Sequence, residues 1–432
     1  MRRIVIPYGV VIGVLLIAVM YVGLADAGMN VPFGRQVREI IDQQGASVLR
    51  PLRNADRICR EAAQSRHELF YRLKSLQSSD QWIKWSFSPE VNKGHYTDIW
   101  THAQTLTALF SMPEATSDDL RPLLGAIDIL FAREMRAERG TIKYGWISNS
   151  EKAEVTYAIP ALWIHSALAI ALGRIKNLST EDEMRYKGYL LYTQEVLANY
   201  RPAGFRGGWC FFPLQDSPSA ADPYTSALAL QSMLELKRYD LPWENSVKTR
   251  DELIQSTSDW LMSHFDGNAP FPGWRGVGES RERIFEGLTL YIYSLLMRAE
   301  DFAGIKISSN ILSGIPRHLS ECVARQYSYP VQSAEFRSLP FVSHKNITAI
   351  TGETVTFLWY PWAIDCAVRW LRRSQKYGSA AADVTRVQRA LGHLIVDLKD
   401  DALSNGTDGL TYEAAENLYG LAEVTLSHDK QW

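Results

Sequence analysis

The chain has 432 residues, enough for one large domain or two to three ordinary ones, and 46% hydrophobic content is ample for a buried core. Charge is nearly balanced, at 46 basic against 48 acidic residues, which excludes a general electrostatic affinity for nucleic acid. Four scattered cysteines, with no Cys-x-x-Cys and no Cys/His cluster at zinc-finger spacing, offer no metal site, and nothing in the sequence names a cofactor.

Arg2 and Arg3 precede an uncharged apolar run over residues 4–24. About twenty such residues cross the hydrocarbon core as a helix, so residues 1–27 are expected to form a single-pass membrane anchor. A signal peptide cleaved near Ala25-Asp26-Ala27 is the alternative. The two arginines place the large domain on the extracytoplasmic side by the positive-inside rule. Residues 28–44, with Gly28, Pro32 and Gly34, read as a linker, and the remainder, residues 45–432, as one domain.

A first helical stretch is expected over residues 37–76, interrupted near Pro51, with Leu52, Ala55, Ile58, Ala62 and Leu69 on one face. Two kinds of helix then alternate. One kind is apolar nearly all round, as in Ala161-Leu162-Trp163-Ile164 and Leu288-Thr289-Leu290-Tyr291, and is expected to be buried on every side. The other is amphipathic and charged, over residues 118–138, 181–200, 245–265, 308–325 and 383–403. No stretch shows strand periodicity with hairpin turns, so a large sheet is not expected.

The apolar helices open on a recurring phrase. Its six versions are Tyr96-Thr97-Asp98-Ile99-Trp100, Val155-Thr156-Tyr157-Ala158, Tyr224-Thr225-Ser226-Ala227, Phe285-Glu286-Gly287-Leu288, Val355-Thr356-Phe357-Leu358 and Thr411-Tyr412-Glu413-Ala414. They recur roughly every 57 to 70 residues, as paired helices plus loops would. The predicted fold is therefore all-α, an α/α toroid of about six inner and six outer helices, preceded by the N-terminal transmembrane helix. Pro160, Gly287 and Pro361 are expected in first turns of inner helices, where proline loses no helical hydrogen bond.

The phrase Gly207-Gly208-Trp209-Cys210-Phe211-Phe212, followed by Asp222-Pro223-Tyr224-Thr225-Ser226-Ala227, resembles repeats of the terpenoid cyclase and protein prenyltransferase superfamily. Gly273-Trp274 before Phe285-Glu286-Gly287 is a second, weaker match. The resemblance covers about residues 45–430 and implies the toroid. The catalytic motifs of those families do not carry over: there is no Asp-x-Asp-Asp, Asp365-Cys366 is adjacent rather than spaced for zinc, and no thioester motif is present.

In such a ring the loops before the inner helices gather at one end, where helix N-termini present positive charge and unpaired N–H groups. That end is the expected ligand site. Asp98, Glu154 and Asp222 are the candidate catalytic carboxylates. Trp146, Arg206, Trp209, Trp274, Arg275, Arg281 and His344 are the candidate ligand contacts. Acids at helix starts also serve as caps, tryptophans also pack repeat on repeat, and His102 suits a core position. Three functions follow: binding or processing of an isoprenoid or lipid-linked substrate, which the motif and the anchor favour; a carbohydrate-active (α/α)6 enzyme; or a non-catalytic scaffold.

Overall fold

The computed structural model describes residues 66–84, 98–132, 136–139, 142–146, 156–244, 248–268, 272–275, 286–328, 342–347, 353–404 and 418–419. After a helical segment over residues 66–74 the order is α1 (Ile99–Ser111), α2 (Ser117–Leu120), α3 (Leu124–Asp128), β1 (Arg136–Arg139), β2 (Ile142–Trp146), α4 (Ala158–Arg174) and α5 (Thr180–Ala198). There follow α6 (Pro223–Arg238), α7 (Arg250–Ser263), α8 (Glu286–Ala303), α9 (Ser309–Ser328), β3 (Val342–Ile347), β4 (Glu353–Leu358), α10 (Tyr360–Tyr377) and α11 (Ala381–Ser404).

The two kinds of helix sort into two layers. Along α4 every residue from Ala158 to Ala171 is buried, and in α1 only Trp100 is not. In α5 burial follows one stripe that includes Tyr186, Leu190, Val196 and Leu197. The apolar helices α1, α4, α6, α8 and α10 pack side by side in chain order, and α5, α7, α9 and α11 each return against the inner helix before them. This is the alternation an (α/α) ring requires. Capping fixes where the helices begin. Asp98 accepts from Thr101 N at 2.7 Å, and Thr249 with Glu252 forms a capping box on α7.

The inner helices share a hub. Glu235 of α6 and Arg298 of α8 are buried and pair at 2.5 Å. The Tyr419 hydroxyl donates to Glu235 Oε1 at 3.0 Å and accepts from Arg298 Nη1 at 3.4 Å. Arg238 Nη1 reaches the other Glu235 oxygen at 3.3 Å. The Tyr419 ring meets Trp163 of α4 edge-on at 5.8 Å and lies 5.3 Å from Trp362 of α10. One residue near the C-terminus thus touches four inner helices at once, which an open superhelix would not allow. A buried ion pair of this kind is tolerated because hydrogen bonds satisfy the remaining lone pairs.

Two buried histidines reinforce the core. His102 Nδ1 accepts from Ile83 N at 3.3 Å, its Nε2–H donates to Ala126 O at 2.8 Å, and its ring stacks on Trp82 at 4.4 Å. It is a neutral core residue that joins α1 to two neighbouring segments. Burial lowers its pKa to about 4 and that of His165, which hydrogen-bonds Ser232, to about 3.

Several expectations are corrected. Two antiparallel hairpins, β1–β2 and β3–β4, interrupt the all-helical reading. The fifth recurring phrase, Val355 to Leu358, lies in β4 rather than opening a helix; the β-branched Thr354, Val355 and Thr356 of that strand suit an extended chain, and the helix starts at Tyr360, with Pro361 next. The expected helix over 118–138 is broken into α2, α3 and 3-10 turns around Pro122, which lacks a donor and crowds the preceding turn. The membrane anchor, the linker, most of the first helical stretch and the sixth phrase lie outside the described residues. Among the described residues no helix is long and apolar enough to cross a membrane.

Replacing Arg298 with Met leaves the Glu235 carboxylate facing the hub without its strongest partner, and is expected to cost about 3–5 kcal/mol in urea unfolding. Adding Glu235→Leu to the same chain is expected to recover much of that loss. Equal stability of the single variant and the wild type would contradict the hub.

Acid is expected to destabilise the fold. His102 and His165 have folded pKa values below the unfolded value of about 6.5, so the contribution of each is complete above that pH and is lost as pH falls, by up to about 1.4 kcal/mol per pH unit. For His102 the loss runs down to about pH 4. Melting temperatures between pH 7 and 4 should fall less steeply for His102→Gln than for wild type; parallel curves would contradict this assignment.

Candidate functional site

The loops that lead into α6 and α8 are anchored from below by tryptophan. Trp209 is fully buried; its backbone N–H donates to Ser226 Oγ at 2.9 Å and its indole N–H to Thr257 at 3.1 Å. Trp274 repeats the arrangement, with its backbone N–H on Thr289 Oγ1 at 3.1 Å and its indole N–H on Leu261 O at 2.6 Å. Ser226 and Thr289 are each the fourth residue of the helix the loop feeds. Gly207 shows why the motif needs glycine. Its φ is +112°, and a Cβ there would stand 1.9 Å from the Ser256 carbonyl oxygen on α7.

With those tryptophans facing inward, other aromatic residues form the outward surface. Trp100, the second residue of α1, meets Tyr157 edge-on at 6.1 Å. Tyr157, which precedes α4, stacks on Phe211 at 5.3 Å with ring planes 9° apart. Phe211 meets Phe212 at 4.9 Å. Trp100, Tyr157 and Phe211 are half-buried, and Phe212 is 49% exposed. The row runs across the starts of the first two inner helices to the loop before the third. Backbone ties it together, because Phe211 O accepts from Ala158 N at 2.9 Å and so serves the first N–H of α4.

Asp98 sits at the head of this row, two residues before Trp100. It is half-buried, and loss of water raises its pKa above the ordinary aspartate value despite the two hydrogen bonds from Thr101 that oppose the shift. Such a carboxyl keeps its proton to higher pH than a free aspartate. Asp222 differs. It is 3% exposed, and its two oxygens accept from Thr225 N at 2.8 Å and Thr225 Oγ1 at 2.7 Å. It caps α6. Glu286, half-buried, opens α8 at the same end of the ring.

The remaining sequence candidates sort plainly. Trp146 is buried, with its indole N–H on Leu130 O at 2.6 Å, so it shares the inward role of Trp209 and Trp274. Arg206 is exposed. Arg275 is exposed and pairs with Asp266 at 2.9 Å across the base of its own loop. His344 stands on β3 opposite Thr356. Glu154 and Arg281 lie outside the described residues. Tyr157, Phe211 and Phe212 were not singled out from sequence as ligand contacts. Their signal was present in the two phenylalanines that follow the Gly-Gly-Trp turn, where a loop has no packing reason to carry consecutive aromatics. Among the described residues, no three His, Cys, Asp or Glu side chains gather as a metal site would require.

No protein-family profile and no curated protein sequence matches the chain. Solved structures do. The GH76A alpha-1,6-mannanase from Salegentibacter sp. HEL1_6 aligns over 85% of this chain and 99% of its own, at 12% identity and a TM-score of 0.50. A family 76 glycoside hydrolase from a bovine Bacteroides thetaiotaomicron strain aligns over 86% of this chain and 78% of its own, at 10% identity and a TM-score of 0.52. An inactive variant of the Salegentibacter enzyme, substituted at two aspartates and bound to alpha-1,6-mannotetrose, aligns at 12% identity and a TM-score of 0.50 over 85% of this chain and 99% of its own. These likenesses establish the (α/α)6 toroid as the fold.

Asp222→Ala is expected to cost about 1–2 kcal/mol by chemical denaturation through loss of the α6 cap, and Asp222→Ser to restore most of it. A variant that unfolds like the wild type would show that Asp222 has a role other than capping.

Proposed function

We propose that the chain is a carbohydrate-active (α/α)6 protein that holds a glycan across the end of the ring where the inner helices begin. The observation that carries this reading is the row Trp100, Tyr157 and Phe211 beside Asp98. Sugar rings have apolar C–H faces that lie well on aromatic surfaces, while their hydroxyls need the polar groups that helix starts supply. The support from the fold is that the similar solved structures are glycoside hydrolases, one of them described with a bound mannose oligosaccharide.

In this reading Asp98 is the proton donor to the leaving oxygen. Glycoside hydrolysis also needs a second carboxylate. Glu154, just before α4 in sequence, is the proposed partner, and Asp222 is left to its cap. An anchor over residues 1–27 would keep the ring at a membrane on the extracytoplasmic side, where polysaccharide is met. The isoprenoid reading loses ground. Among the described residues the hub below the row is filled by Trp163, Tyr291, Trp362 and Tyr419 around the buried ion pair, rather than forming a dry tunnel.

Calorimetric titration with mannose and alpha-1,6-mannotetrose, with release of reducing ends measured in parallel, tests the proposal. Binding of the tetrose is expected, weakened roughly tenfold by Trp100→Ala. Asp98→Asn should lower hydrolysis by about 10²–10⁴-fold and leave binding nearly unchanged. Binding without hydrolysis in the wild type would leave a glycan receptor, and no binding of either sugar would overturn the proposal.

A further inference from the structure

Phe212 and Leu214 stand out on this surface as large apolar side chains left 49% and 48% exposed in one short loop. Phe212 continues the aromatic row outward from Phe211, at nearly a right angle to it. The loop is rigidly mounted. Leu214 has a φ of +54°, a conformation a γ-branched residue seldom adopts, and its N–H donates to Asn199 O at the end of α5 at 2.7 Å. Ala203 N bonds Gln215 O at 3.2 Å, and Gln215 Nε2 returns to Pro213 O at 3.2 Å. Phe211 O holds the start of α4. An exposed Phe held this firmly gains nothing from burial in the free protein, whereas a preorganised platform loses little entropy when a ligand settles on it.

We infer that Phe212 is a rim platform that sets the length of glycan the ring prefers, by stacking a sugar beyond those held over Trp100, Tyr157 and Phe211. The inference rests on the carbohydrate reading above and adds a specificity-determining residue to it. The occupant is a further unit of the same chain, because the platform is continuous with the row and no charged side chain lies between Phe211 and Leu214. A single sugar seated beside Asp98 does not reach the rim, so Phe212 contributes only to longer ligands.

The test compares mannose with the tetrose used above, in wild type, Phe212→Ala, Phe212→Trp and Trp100→Ala. The wild type is expected to bind the tetrose more tightly than mannose. Phe212→Ala should weaken the tetrose by about fivefold, as loss of one aromatic contact would, and leave mannose unchanged; Phe212→Trp should restore the preference. Unchanged circular dichroism is expected, since Phe212 is largely exposed. If Phe212→Ala weakens both sugars equally, or neither, while Trp100→Ala weakens both, the platform is overturned and the carbohydrate reading stands. If the wild type binds neither sugar, both fall together.

Discussion

The ring depends on one contact set, the Glu235–Arg298 pair with the Tyr419 hydroxyl. Helices that are apolar on every side can pack against one another in many ways, and a hydrophobic hub alone would not choose among them. A buried carboxylate and guanidinium are costly unless they meet, so the arrangement that pairs them is the one in which α6, α8 and the residues near the C-terminus converge. Tyr419 extends the constraint to α4 and α10 through its ring. Sequence distance makes this notable. Glu235 and Tyr419 are 184 residues apart, so the pair closes the fold over a long stretch of chain.

From that closure the position of the site follows. The inner helices begin at one end, and the loops entering α6 and α8 are each pinned beneath that end by a tryptophan whose backbone and indole N–H groups are both satisfied within the fold. Beyond the pinned tryptophan and the buried residue that follows it the chain turns outward. In the third loop the residues at that turn are Phe211 and Phe212, which join Tyr157 and Trp100 in a row no single repeat could build. The chemistry is thus grafted onto a frame whose own requirements are met elsewhere, which is why fold likeness and activity have to be argued separately.

Much of the frame was legible in the sequence. The alternation of apolar and amphipathic stretches marked the inner and outer layers, and Asp98, Asp222 and Glu286 sit where helix-start chemistry placed them, at or next to the first helical residue. Tertiary context hid the rest. Val355-Thr356-Phe357-Leu358 mimics a helix start, yet its β-branched residues pair with β3. Trp209 and Trp274 carried two readings in the sequence, ligand face and packing between repeats; their full burial and paired hydrogen bonds belong with packing. The hub pair was illegible for a plainer reason. A single Glu and a single Arg in long helices carry no signal of partnership until the ring brings them together.

The most direct measurement of the central claim is a crystal structure of the protein grown with a bound oligosaccharide. The account predicts sugar rings lying over Trp100, Tyr157 and Phe211 with a glycosidic oxygen within hydrogen-bonding distance of Asp98. Sugar bound at another face, or residues of the chain itself covering that row, would contradict it.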